Sequence, residues 1–278
     1  MKKIINKLTL ASLSIAALGL SSCFKKFDPE SYQPPLNIGG FTSTKEIAPS
    51  SLIGYWAFDG SYVDSVSNTA GTPTGTSFTG GIKGQALQGA LNGYVVATPS
   101  AAVSSMQSFT ITYWVNSPVN ANGIVGLVNL AHTTGFWGNI DMFFENGSTQ
   151  DAAKFRAHIQ NGAKDAWIAK DGIPGIFGNW VNLALSYDAP TSTFKFYVNG
   201  SVSVTQQVAN FGPIAFTNVG QLVFGTVHFM TNPSQTSSHG AEPWAGFMTG
   251  QLDEVRIYNK ALTDNEVNSL VKLEGRGK

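Results

Sequence analysis

From Ser51 onward the chain alternates short apolar stretches with clusters of Gly, Asn, Asp and Pro at fairly regular intervals. The runs Leu52–Phe58, Tyr94–Ala97, Phe109–Val115, Ile140–Phe144, Lys154–Gln160, Trp180–Tyr187, Thr193–Val198 and Gln221–Phe229 each read as a strand. Many short strands with turn signals between them predict a sandwich or barrel. Asn199-Gly200, directly after Thr193–Val198, predicts a two-residue hairpin turn, because both residues tolerate positive φ. In Lys154–Gln160, alternation turns Phe155, Ala157 and Ile159 inward and Arg156 and His158 outward together. One short helix is expected near the C-terminus. There Thr263 and Glu266 have the spacing of a capping box, and Val267, Leu270 and Val271 share a face. No internal repeat or second domain is visible, and roughly 220 residues suit one all-β unit.

The first 50 residues lack this pattern. Lys2, Lys3 and Lys7 precede a short apolar run from Leu8 to Leu20, which has the build of a secretory signal and falls short of a bilayer span. The run ends at Ser21-Ser22-Cys23, and these residues resemble a bacterial lipobox. The resemblance implies cleavage before Cys23, with lipid added to its thiol and its new amino group. Cys23 is the only cysteine, so it has no disulfide partner within the chain. Several acyl chains on one residue give stable anchoring where one chain is marginal. Residues 23–50 sustain no period of 2 or 3.6, and Pro34-Pro35 and a Ser/Thr stretch read as a flexible tether. The expected organisation is therefore a signal at 1–22, a lipidated Cys23 and tether at 23–50, and one domain at 51–278. Removing residues 1–22 takes 17 basic and 17 acidic residues to 14 and 17, a net charge near −3. No basic patch points to nucleic acid.

Three segments carry a family resemblance. The first is Leu52-Ile53-Gly54-Tyr55-Trp56-Ala57-Phe58-Asp59-Gly60, followed by Asp64-Ser65 and Asn68. The second is Phe109–Val115, joined by Gly178–Asp188 and Phe196–Gly200. The third is Gly250–Thr263, which contains Asp253-Glu254-Val255-Arg256. In this order, from about 51 to 272, they resemble the laminin G-like jelly-roll family of the concanavalin A-like lectin/glucanase superfamily. The resemblance implies an all-β, two-sheet antiparallel jelly-roll sandwich with a short C-terminal helix. Trp56, Trp114, Trp180 and Tyr197 are expected in its core, and the Asp253–Arg256 run is expected to close the sandwich against the Trp56–Gly60 strand. The resemblance also implies a structural Ca²⁺ between the first and last strands, for which Asp59 and Asp253 are the candidate ligands. Fold alone does not settle function.

For catalysis, the nearest match to the acid strand of related glucanases is Asn139–Glu145. With Asp141 as the central acid, the flanking positions hold Asn139 and Phe143, so both catalytic carboxylates are missing. Asp141 and Glu145 share a strand face about 13 Å apart, farther than paired glycosidase carboxylates sit. No catalytic residue is assigned. A glycan site needs an aromatic platform and a few fixed polar groups. Trp137, Asp141, Arg156, His158 and Trp167, with His132, His228 and Trp244, are the candidates. Phe136 and His239 lie close to them in sequence. The irregular spacing of the histidines does not read as a zinc site. The leading expectation is a non-catalytic polysaccharide-binding lipoprotein in the outer membrane, facing the cell exterior and holding glycan near a transporter or partner hydrolase. A structural or adhesion lipoprotein bound to another envelope protein is the alternative, and a lyase or hydrolase with an unfamiliar site is the third reading.

Overall fold

The computed structural model describes residues 36–120, 123–146 and 152–278. Residues 1–22 and Cys23, expected as signal and lipid-bearing residue, lie outside the described residues. Strand formation follows the period of 2. In β9 (Ala153–Asn161), Phe155, Ala157 and Ile159 are fully buried in the main core, and the residues between them face the other way. The same alternation sends Ile140, Met142 and Phe144 of β8 (Ile140–Glu145) into that core.

Two antiparallel sheets form the sandwich. The first runs β13 (Ser201–Gln207), β12 (Thr193–Val198), β11 (Val181–Asp188), β6 (Phe109–Asn116), β16 (Gln251–Tyr258), β4 (Gln85–Gln88), β3 (Ser77–Gly80), with β1 (Leu52–Trp56) also paired to β16. The second runs β10 (Lys164–Ile173), β9, β8, β7 (Ile124–His132), β14 (Val219–Phe224), β5 (Tyr94–Ala97), β2 (Thr72–Thr74), with the short β15 (Ala245–Gly246) parallel to β7. Asn199 and Gly200, both at positive φ, join β12 to β13 as a two-residue turn. Tyr55 pairs with Arg256 and Trp56 with Val255, so the first and last strands do close the first sheet together.

The outer face of the first sheet is covered by helix α2 (Asp264–Glu274), which follows the four-residue α1 (Ala101–Ser104) in chain order. Thr263 accepts from the Glu266 amide while the Glu266 carboxylate accepts from the Thr263 amide, which completes the capping box. Val267, Leu270 and Val271 are buried against the sheet. Of the aromatic residues expected in the core, Trp56, Trp114 and Tyr197 are buried. Trp180 is only half-buried, because it lies just before β11 begins, where the chain is still leaving the Gly178–Asn179 turn.

Two expected boundaries move. Residues 37–50 belong to the compact unit, which runs from Asn37 to Lys278, so the domain begins before residue 51. Thr44 and Ile47 are buried, and Asn265 donates to the Gly39 carbonyl, which ties this segment to α2. The run Gln221–Phe229 is not one strand. β14 stops at Phe224, Gly225 turns the chain at φ 89°, and a 3-10 turn follows at His228–Met230.

Candidate functional site

The outer face of the second sheet is built from the residues that alternation turns away from the main core. Across β7, β8, β9 and β10 the pairing register aligns Asn129, Asp141, His158 and Trp167 in one row. Phe143 and Arg156 pair in the next row. The connection 225–247 folds over this face. Ile124, Phe143, Val227 and Phe229 form a second apolar cluster separate from the main core, with Trp137 and Met230 packed on it.

Two glycines let this cover sit close. A Cβ at Gly126 would lie 2.2 Å from the Thr226 carbonyl carbon, so only glycine allows the 225–227 backbone to cross β7 there. Gly123 has φ 60°, and a Cβ there would lie 1.7 Å from the Trp244 carbonyl oxygen. Side chains then pin the cover. Asn129 Nδ2 donates to the Thr226 carbonyl (2.6 Å), Thr226 Oγ1 to the Gly246 carbonyl (2.8 Å), and Thr236 Oγ1 to the Gly135 carbonyl (2.8 Å).

The result is a continuous aromatic surface. The Trp137 ring stacks on Phe143 (centroids 5.5 Å, 4°) and meets Trp167 edge-on at 5.3 Å. Phe136 stacks on His239 at 4.1 Å and lies 6.3 Å from Trp244, while Phe229 packs beneath both Phe136 and Trp244. Such pairs add about 0.5–1.5 kcal/mol each beyond burial, so the rings hold one another in place. Phe136, Trp167 and Trp244 nevertheless remain 43%, 39% and 39% exposed.

Beneath the rings lies a buried polar row. Asp141 is fully buried; its Oδ2 accepts from the Gly138 amide (2.7 Å) and from His158 Nδ1 (3.2 Å), and its Oδ1 lies 3.5 Å from His228 Nδ1. Burial pushes the Asp141 carboxyl up. The contacts with His158 and His228 outweigh that and hold it below the ordinary carboxylate range. His158 Nε2 points toward Asp165 Oδ2 (3.6 Å), which also accepts from Trp167 Nε1 (3.0 Å). The row thus links the buried Asp141 to the exposed Trp167. Neither ring nitrogen of His228 has a hydrogen-bond partner among the described residues, and neither does Asn129 Oδ1.

Of the candidates named from sequence, Trp137, Asp141, His158, Trp167, His228 and Trp244 come together here. His158 faces away from the main core as alternation predicts, but it is not open to solvent; Trp137 and Trp167 pack over it. Arg156 is on the same face, tied to Glu145 (2.8 Å) and Asp171 (2.7 Å). Glu145 is therefore spent on Arg156, and Asp141 on His158, so the two acids serve different partners. His132 ends β7. Its Nε2 contacts Thr217 and its Nδ1 accepts from the Thr134 amide, which makes it a turn former at the edge of the site. Sequence reasoning missed Phe143, Phe229 and Asn129. Carrying alternation from Asp141 to Phe143 would have found the first, while the other two are hidden inside apolar runs.

Asp59 and Asp253 both turn onto the hairpin between β3 and β4. Asp59 Oδ1 accepts from the Gln85 amide; Asp253 Oδ2 accepts from Ile82 and Lys83, and its Oδ1 from Glu254. Burial pushes the Asp253 carboxyl up to about 8, against the pull of those amides. Carboxylates facing N–H donors do not form the oxygen cage that calcium takes, so the arrangement does not fit an ion held by this pair. Among the described residues no group of three or more His, Cys, Asp or Glu is placed to hold a metal.

Comparison with known proteins agrees with this architecture. The family model described as concanavalin A-like lectin/glucanases superfamily matches residues 88–268. Similar solved structures include the binding domain of botulinum neurotoxin DC in complex with rat synaptotagmin II (13% identity, TM-score 0.59, 82% of this chain and 52% of that one). The same domain in complex with SialylT is also similar (14%, TM-score 0.58, 84% and 52%), as is the serotype D binding domain (13%, TM-score 0.58, 80% and 51%). The chain spans about half the length of those binding domains. No curated protein sequence matches it.

Proposed function

From the premise that this chain belongs to the concanavalin A-like lectin/glucanases superfamily, we propose that it is a glycan-binding module using the aromatic face of its second sheet. The observation that carries this reading is the set of exposed rings of Phe136, Trp167 and Trp244, fixed by the rings and the Asp141–His158 pair beneath them. Sugars present flat C–H faces that stack on such rings, and hydroxyls that suit the polar rim of Asp165, Arg156 and Glu145. Because these rings are already packed, little side-chain entropy is lost on binding. Similar structures were solved with SialylT and with synaptotagmin II, over chains of which this one spans about half. The choice of glycan rests on the composition of the face.

The same reading places the module at the outer membrane, facing outward, tethered through an acylated Cys23 and holding polysaccharide beside a transporter or a partner hydrolase. Its support is the basic and apolar signal and the lone cysteine that ends it. Incorporation of labelled palmitate, lost in Cys23→Ser, tests the anchor.

The test of the binding site is a glycan array probed with the full chain and with Trp167→Ala and Trp244→Ala. Each substitution removes an exposed ring and should weaken binding by about 2 kcal/mol, roughly thirtyfold, with the fold intact. Binding that persists unchanged in both variants removes this face from consideration. A folded chain that binds no glycan points to a protein partner.

A further inference from the structure

We infer a second ligand pocket, for a neutral sugar residue, on the opposite flank of the 225–247 connection. A cavity of about 340 Å³ opens between the start of β5 and the return of that connection toward β15. Its floor is aromatic: Tyr94 and Phe247 lie nearly parallel, 24° apart with centroids at 6.4 Å. The Tyr94 hydroxyl donates to the Asn232 carbonyl (3.1 Å) and accepts from the Asn232 amide (3.0 Å), so the floor is locked to the rim before any ligand arrives. Met230 forms one wall, and on its other side it packs against the aromatic cluster of the first site.

The rim consists of Thr74, Asn92 and Asn232. None of their side chains makes a hydrogen bond among the described residues, although each carboxamide offers both a donor and an acceptor. No charged side chain lines the cavity. A flat apolar floor, an uncharged donor and acceptor rim and a volume at the small end of ligand pockets together select a compact, neutral, polyhydroxylated ring. A pyranoside meets each of these conditions, whereas a carboxylated or phosphorylated ligand finds no counter-charge. Since Met230 backs both sites, one glycan chain can engage the exposed rings with its length and this pocket with an end.

The ligand class rests on the glycan reading, but the site does not, and the experiment separates them. Isothermal titration and saturation-transfer NMR are run on the full chain with maltose, cellobiose and lactose as probes. Asn92→Gly removes a rim amide while keeping the positive φ of 61°, and Ala241→Trp fills the cavity from an exposed loop position. Trp167→Ala reports on the other face. The pocket predicts a roughly tenfold weakening in Asn92→Gly and a larger loss in Ala241→Trp. If Trp167→Ala is then unchanged, the pocket stands and the aromatic face loses its role with these probes. Weakening in all three variants supports both sites. Weakening in Trp167→Ala alone overturns the pocket and leaves the face. A wild-type chain that binds none of the three disaccharides overturns the pocket as well.

Discussion

Each sheet buries polar groups under a cover on its outer face, and the two covers treat those groups differently. Under α2, Arg256 reaches Glu274 through Nε (2.8 Å) and Glu254 through Nη2, while Glu274 also accepts from Trp114 Nε1 (2.7 Å) and Glu254 from the Tyr55 hydroxyl (2.7 Å). The guanidinium stacks over the Tyr55 ring at 4.0 Å. Glu254 even holds φ 50° inside a strand bulge, a conformation that survives because both its carboxylate oxygens are engaged. The Tyr258 hydroxyl and Ser269 Oγ on this side have no hydrogen-bond partner among the described residues, but every charged group does. Under the 225–247 cover it is the ionisable groups themselves, His228 and one oxygen of Asp141, together with one oxygen of Asn129, that are buried without a hydrogen bond. The first arrangement locks a helix to a sheet. The second leaves polar capacity beneath exposed rings, where a buried group without a hydrogen bond is costly unless something outside the chain meets it.

That contrast is easiest to break on the helix side. Arg256→Met leaves two buried carboxylates without their cation and should cost about 3–5 kcal/mol, read by urea denaturation. Glycan binding by the folded fraction should be unchanged, since nothing in this network touches the aromatic face. A loss of binding at full folding would mean that the two covers are coupled. Next in size is Gly126→Ala. The new methyl meets the Thr226 backbone rather than a flexible side chain, so the cover must shift, at about 1–3 kcal/mol. Here binding should fall together with stability, because the shift moves His228, Phe229 and Trp244.

The two sides were also unequally legible in the sequence. The helix side was written in local signals, the Thr263–Glu266 capping box and the Val267–Val271 face, while the place of the Asp253–Arg256 run followed from the family resemblance. On the other side, alternation in β9 placed His158 on the outer face, yet nothing local revealed that Trp137 and Trp167 would cover it. The strand Ile124–His132 escaped notice altogether. It is buried on both faces, once by the core and once by the 225–247 cover, so apolar residues fall on both faces and, apart from Asn129 and the terminal His132, show no polar alternation to detect. Phe229 was hidden in the same way, at the end of a run read as strand. Residues brought together by a long connection cannot be paired from sequence spacing, whereas residues within one turn or one strand can.

Acid should expose the reserve of polar capacity. Because the folded-state pKa of Asp141 is depressed, its ionised form contributes stability that is complete above the unfolded carboxylate value of 3.8. That contribution is lost as pH falls from there through the lower folded value. Asp141→Asn should flatten this part of the stability curve, measured by thermal melts between pH 2 and 5. An unchanged acid limb would show that the His158 and His228 contacts do not hold the carboxylate ionised.

The smallest expected effect is the most discriminating. His228 is completely buried; its Nδ1 lies 3.5 Å from Asp141 Oδ1 without a hydrogen bond and its Nε2 has no hydrogen-bond partner, so the folded state bears a desolvation cost that the contact with Asp141 offsets only in part. Replacing it with Leu removes that cost along with some ring packing against Phe229, and the two should nearly cancel, leaving stability within about 1 kcal/mol of the parent. If the polar row is structural, as Arg256 and its acids are, His228→Leu should instead destabilise by several times that amount. If it supports a binding face, stability should hold while glycan affinity drops, because Asp141 loses one of the two histidines that orient it under Trp137. Denaturation and glycan titration on this one variant therefore decide whether the two buried polar clusters differ in kind or only in degree.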